Sequence, residues 1–147
     1  NMRKLIGIVL SLVILASCAS VKKIDYQMPL QVSLVKQIKT NNTFRMLWFD
    51  YITEANQYQS IKNYTPSEKL IAHYSLIKEK KNVIVPLLIQ VDKEFDYKQL
   101  DNLGASYSKT SDEIISVRFP VKYLPSLLQL KNVSYIEYQN NVELRLY

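Results

Sequence analysis

Glycine, cysteine and histidine are nearly missing from this chain: its 147 residues hold two glycines, one cysteine and one histidine. Two glycines argue against the Gly-rich loops that cradle phosphates, and neither a Walker A motif nor a dinucleotide fingerprint occurs. One cysteine excludes a disulfide framework, and one cysteine with one histidine excludes a Cys/His zinc site. A Ser-His-Asp triad would have to be built on His73 alone. These absences disfavour most enzymes before any motif is read, and no cofactor is expected.

What is present suits an ordinary folded domain. Hydrophobic residues make up 48% of the 17.2 kDa chain and charged residues 22%, so it is neither disordered nor collagenous. The length fits one domain plus extensions.

The extension is at the N-terminus. Asn1 precedes Met2, and Met2 is expected to be the natural start. Arg3 and Lys4 are followed by an apolar run over residues 5–16, a charged n-region and an h-region of secretory length. Spanning a bilayer takes about 20 apolar residues, so this run is too short. It ends in Leu15-Ala16-Ser17-Cys18, which resembles the lipobox of bacterial lipoproteins. That resemblance implies a signal peptide over residues 1–17, cleavage before Cys18, and acyl chains such as palmitate on Cys18. Residues 18–28 then form a tether. No acidic run follows Ala19. By resemblance to Gram-negative lipoproteins, that favours the outer membrane. Cleavage would lower the net charge from +6 to +4. The remaining charge is mild and dispersed, as in Lys78-Glu79-Lys80-Lys81, and lacks the basic stripe of a nucleic-acid binder.

Two periods divide the rest. Residues 29–81 read as a helical region. Leu30, Leu34 and Ile38 recur every four residues. Phe44, Leu47, Trp48, Tyr51, Ile52 and Ala55 define one helix face. Thr65-Pro66-Ser67-Glu68 reads as a capping box opening a helix with Leu70, Ile71, Tyr74 and Ile77 on its apolar face. From residue 82 the pattern is that of strands. Residues 83–91 form a dense β-branched and apolar run, and Pro86 predicts that this strand is an edge or carries a bulge. A short helix with Leu100 and Leu103 closes at Gly104. Strands follow over residues 105–109 and 113–119, then a helix begun by Pro120 and carrying Leu124, Leu127 and Leu128. The last strand covers residues 133–139.

The expected fold is therefore α+β. Its C-terminal unit, residues 82–147, has a ferredoxin-like βαββαβ order: a four-stranded antiparallel sheet with two helices on one face. Ile115, Val117, Leu127 and Ile136 are the expected core. The open face is expected to show Ile114, Ser116, Arg118, Tyr135 and Glu137.

The same residues carry a family resemblance. Val85-Pro86-Leu87-Leu88-Ile89-Gln90-Val91 is followed by a helix ending Leu103-Gly104-Ala105. Then come Asp112-Glu113-Ile114-Ile115-Ser116-Val117-Arg118-Phe119-Pro120, a leucine-rich helix, and Val133-Ser134-Tyr135-Ile136-Glu137. This stretch resembles the N-terminal propeptide domains of secreted bacterial subtilisin-like serine proteases. In that family the open sheet face packs on the protease and the C-terminal tail threads the active-site cleft, as folding template and then inhibitor. No catalytic domain follows within these residues, so the resemblance implies either a non-catalytic inhibitor or chaperone acting in trans on a separate protease, or a detached or truncated pro-region put to another binding use.

Two sets of partner-binding candidates follow. Ile114, Arg118 and Tyr135 would dock the partner on the sheet. In the tail, residues 140–147, Val142, Leu144 and Leu146 alternate with charged residues and end at Tyr147. That pattern suits either a peptide laid along a protease groove or a plain extra strand. An envelope lipoprotein that binds some other protein or peptide through the same sheet face is the alternative reading. His73 reads as a partly exposed helical residue. Asp92, Glu94 and Asp96 have the spacing of a calcium loop, but Tyr97 and Leu103 replace its Gly and Glu, so a strand-to-helix turn is the better reading and no metal is expected.

Overall fold

The computed structural model describes residues 28–139, so the signal-like segment and nearly all of the tether lie outside the described residues. Helix α1 spans Asn42–Ala55. Its boundary follows from Asn41, whose side chain accepts a hydrogen bond from the Phe44 amide. All six residues of its expected apolar face are buried. The segment before it is not the longer helix its spacing predicts. It is a 3₁₀ helix, Val32–Gln37, lying along α1. There the Trp48 indole donates to the Val32 carbonyl at 2.9 Å, and Asn56 bonds the backbone of Leu30 from both ends of its amide.

Helix α2 spans Glu68–Tyr74 and starts later than the capping-box reading predicts. Ser67, not Thr65, is its cap, because the Ser67 hydroxyl is the one that accepts from the Leu70 amide. Ile77 is not on this helix. Ser75 takes a left-handed conformation (φ 51°), ends the helix, and sends Ile77 into a strand.

Six strands form one mixed sheet: β1 (Lys39–Thr40), β2 (Ile77–Glu79), β3 (Asn82–Val91), β4 (Ser106–Lys109), β5 (Ile114–Pro120) and β6 (Val133–Tyr138). The order is β1-β6-β3-β5-β4, with β2 beside β3. The fold is thus α+β, but the sheet differs from the four antiparallel strands expected. β1 adds a parallel partner to β6, and β2 forms a hairpin with β3. Both extra strands come from the region read as purely helical.

Strand β3 is central, not an edge. Pro86 is tolerated because it falls in a gap: the β2 ladder ends at Ile84 and the β6 ladder begins at Leu87, so no strand on that side calls on an N–H from residue 86. An irregularity does occur in β3, further along at Gln90 and Val91. After β3 comes helix α3, Lys98–Asn102, closed by Gly104 at φ 75°. After β5 comes a 3₁₀ turn, Val121–Tyr123, then helix α4, Leu124–Leu127. Pro120 ends β5 and precedes that turn; it does not start the helix.

One hydrophobic cluster runs through both regions. Phe44, Leu47 and Tyr51 of α1 share it with Leu87, Ile89, Val117, Leu127 and Ile136. Ile115, Val117, Leu127 and Ile136 are all fully buried, as expected. The described helices and the buried strand residues therefore meet on one side of the sheet, and the exposed Gln90, Ile114 and Ser116 point to the other.

Candidate functional site: the open sheet face

Alternation in the strands builds this face. In β5, Ile115, Val117 and Phe119 point into the core, so Ile114, Ser116 and Arg118 point away. In β6, Ile136 and Tyr138 are buried, which turns Tyr135 and Glu137 outward. In β3, Leu87, Ile89 and Val91 are buried while Pro86, Leu88 and Gln90 are more open.

Strand register aligns these side chains in rows. One row runs Lys39, Tyr135, Gln90, Ile114 across four strands. The next runs Glu137, Leu88, Ser116, Ser108. The third runs Pro86, Arg118, Ser106. Ile114, Arg118 and Tyr135, singled out in the sequence, thus share one surface. Ile114 and Tyr135 flank Gln90, and Arg118 lies one full pleat repeat beyond Ser116. Ile114 keeps 39% of its surface exposed, high for a large aliphatic residue in a paired strand. The Arg118 guanidinium forms an ion pair with Glu79 of β2, so it is held over the face.

Lys39, Pro86, Leu88 and Gln90 belong to this face and were missed. The β3 run is apolar at almost every position, so its two sides cannot be told apart by alternation. Lys39 joins the face only through the short parallel strand β1. Cys18 and the tail residues Val142, Leu144, Leu146 and Tyr147 lie outside the described residues.

The face is lined by side chains suited to contact and poor in groups suited to chemistry. Among the described residues it carries the Arg118 guanidinium, the Lys39 ammonium, the Glu79 and Glu137 carboxylates, the Tyr135 phenol, the Gln90 amide, serine hydroxyls and apolar side chains. The single histidine is elsewhere. His73 is exposed on α2, its ring edge-on to Tyr74 at 4.7 Å. It borders a cleft of about 290 Å³ between α1 and α2, together with Asp50, Glu54 and Lys69. The acids there are committed to structure. Glu54 accepts from the Tyr64 hydroxyl at 2.9 Å and from the Ser67 amide at 3.1 Å, and Asp50 accepts from the Tyr74 hydroxyl. In the loop after β3, Asp92 and Asp96 accept from the amides of Glu94 and Lys98 at 2.8 Å and 3.0 Å, the bonds of a turn and a helix start. Among the described residues no helix is long and apolar enough to cross a membrane.

No family model, no curated protein and no solved structure matches the chain.

Proposed function

We propose that this chain is a non-catalytic binding protein, held at the cell envelope by lipid on Cys18, that restrains a subtilisin-like serine protease in trans. The observation that carries the reading is the open sheet face, with Ile114, Tyr135 and Arg118 standing, among the described residues, on the side away from the helices. Aromatic and arginine side chains often dominate protein interfaces, and aliphatic surface at their centre supplies the apolar contact.

The finer fold assignment belongs to the same proposal. Strands β3 to β6, with α3 and α4 between them, make a ferredoxin-like βαββαβ unit to which β1 and β2 are additions. The spatial order β6-β3-β5-β4, antiparallel at every step, supports this. In this reading the sheet docks the protease, while Val142, Leu144, Leu146 and Tyr147 lie along its substrate groove as an added strand.

The test is inhibition. The full chain, in neutral detergent, slows peptide hydrolysis by a subtilisin-like protease of the same cell. Deleting residues 141–147 weakens inhibition more than binding. Cys18→Ala moves the chain from the membrane to the soluble fraction. If the chain neither binds nor slows any such protease, the protease assignment fails and the face serves another envelope protein or peptide.

A further inference from the structure

The lysines look dispersed along the sequence, but the fold sorts charge between the two ends of the sheet. At one end β2 turns into β3 through Lys80-Lys81, with Lys80 left-handed at φ 52° and both side chains exposed. Ile84 of β3 pairs with Pro120, so the Val121–Tyr123 turn leaves β5 at this end too. Lys122 in that turn donates to the Lys62 carbonyl at 2.6 Å, which brings in the 3₁₀ turn Ile61–Asn63 with its exposed Lys62. Among the acids here, Glu68 pairs with Lys78 and Glu79 with Arg118, and these charges cancel. Glu54 accepts from the Tyr64 hydroxyl and the Ser67 amide. Lys62, Lys80, Lys81 and Lys122 outnumber it, so the end is positive.

The far end has the opposite sign. Three connections meet there: the Asp92 amide donates to the Asn132 carbonyl at 3.2 Å, and the Val91 amide to the Glu113 carbonyl at 2.8 Å. Residues 92–97, 110–113 and 131–132 carry five acids against two lysines. At about 3.3 Å per residue, the ten residues of β3 separate the two ends by about 30 Å. That is several Debye lengths of ~8 Å at physiological salt, so each end acts by its own charge.

The chain enters at the positive end. Helix α1 reaches that end, where the Tyr51 hydroxyl donates to the Lys122 carbonyl at 2.9 Å. Asn56, just past the helix, bonds the Leu30 amide at 2.7 Å and the Leu30 carbonyl at 3.3 Å. From Leu30 the Val32–Gln37 segment runs back along α1, and Lys39 then pairs with Tyr135 in the row of Gln90 and Ile114, toward the negative end. Between Cys18 and this entry the sequence places Lys22 and Lys23.

We propose, on the reading that Cys18 is lipidated, that the positive end lies against anionic lipid headgroups of the anchoring membrane, with the strands standing on that surface. Charge complementarity selects the occupant, and the entry of the chain selects the same end. A lysine within a Debye length of an anionic leaflet gains roughly fivefold in affinity, so this cluster fixes an orientation that a lipid anchor alone does not. The open face runs along the strands and stays clear of the bilayer.

Lysine reactivity provides the test. The full chain is reconstituted in vesicles of phosphatidylcholine, with or without phosphatidylglycerol, and its acetylation is read by mass spectrometry. Labelling of Lys62, Lys80 and Lys81 falls at least about fivefold on the anionic vesicles and recovers at high salt. Lys93 and Lys131, at the far end, label alike on both. Lys80→Asn combined with Lys81→Gln keeps a residue that tolerates the left-handed turn and returns Lys62 to its rate on neutral vesicles. Equal labelling of Lys62, Lys80 and Lys81 on both vesicles, protection that extends equally to Lys93 and Lys131, or a double variant as protected as the wild type overturns the proposal and leaves the anchor standing. A chain that does not float with neutral vesicles removes the anchor instead. Flotation with the anionic vesicles alone then upholds the headgroup contact, and flotation with neither overturns it.

Discussion

Three buried tyrosines keep their hydroxyls protonated, and this gives the fold a pH limit. Burial pushes the Tyr138 phenol up to about 12. Burial, reinforced by the Glu54 and Asp50 carboxylates they bond, raises Tyr64 and Tyr74 as well. Each group has a higher value folded than unfolded, so its contribution is fully present below the ordinary tyrosine value of about 10 and is lost as pH rises. The thermal midpoint is therefore expected to be flat at mildly alkaline pH and to fall between about pH 10 and about pH 12. Tyrosinate absorbance for these residues should appear together with loss of helix signal. Ionisation of all eleven tyrosines with the helix signal intact would contradict their burial. At this scale much of the structure was legible. The six apolar residues of α1 were readable because helix spacing makes burial periodic. The cap of α2 was not, because Thr65 and Ser67 are both competent caps and only the contact of Ser67 with Glu54 distinguishes them.

Between elements, Asn41 joins helix to sheet. Its Oδ1 accepts from the Phe44 amide at 3.1 Å and the Tyr138 amide at 3.2 Å, while its Nδ2 donates to the Tyr138 carbonyl at 3.0 Å. An isolated N-cap is worth about 1 kcal/mol. Asn41→Ala also leaves the backbone groups at the end of β6 without these partners, so the expected loss is about 2–3 kcal/mol. Denaturant melts of the variant check this; a loss no larger than that of a simple cap would mean the Tyr138 bonds contribute nothing. The two strands that sequence reading missed belong to this scale. Lys39–Thr40 and Ile77–Glu79 are too short and too polar to show a period. Each exists as a strand only because β6 or β3 supplies its partner. The first segment, Val32–Gln37, shows the reverse case: the spacing of Leu30, Leu34 and Ile38 marks packing against the core and not a helix running through all three, and six residues are too few for a stable α-helix on their own. Leu127, fully buried in α4, is expected to cost about 2–5 kcal/mol when cut to alanine.

For the molecule as a whole, the change of period near residue 82 marks a change of local structure, while the core crosses it without a break. Trp48, the single tryptophan, lies fully buried in α1 with its indole bonded to the Val32 carbonyl, so it reports on the N-terminal region, whereas far-ultraviolet circular dichroism includes the strands. With one shared core the two signals are expected to change together on denaturation; an earlier change at Trp48 would mean the regions unfold separately. The open face was legible on β5 and β6, where polar and apolar residues alternate, and illegible on β3, where they do not. Its use as a docking surface is proposed. The most direct measurement is the equilibrium affinity of a subtilisin-like protease of the same cell for the wild-type chain and for Ile114→Asp, which places a charge at an exposed position of the face and leaves the core intact. A loss of about tenfold or more is expected, with an unchanged melting temperature; affinity equal to the wild type would show that the partner does not sit on this face.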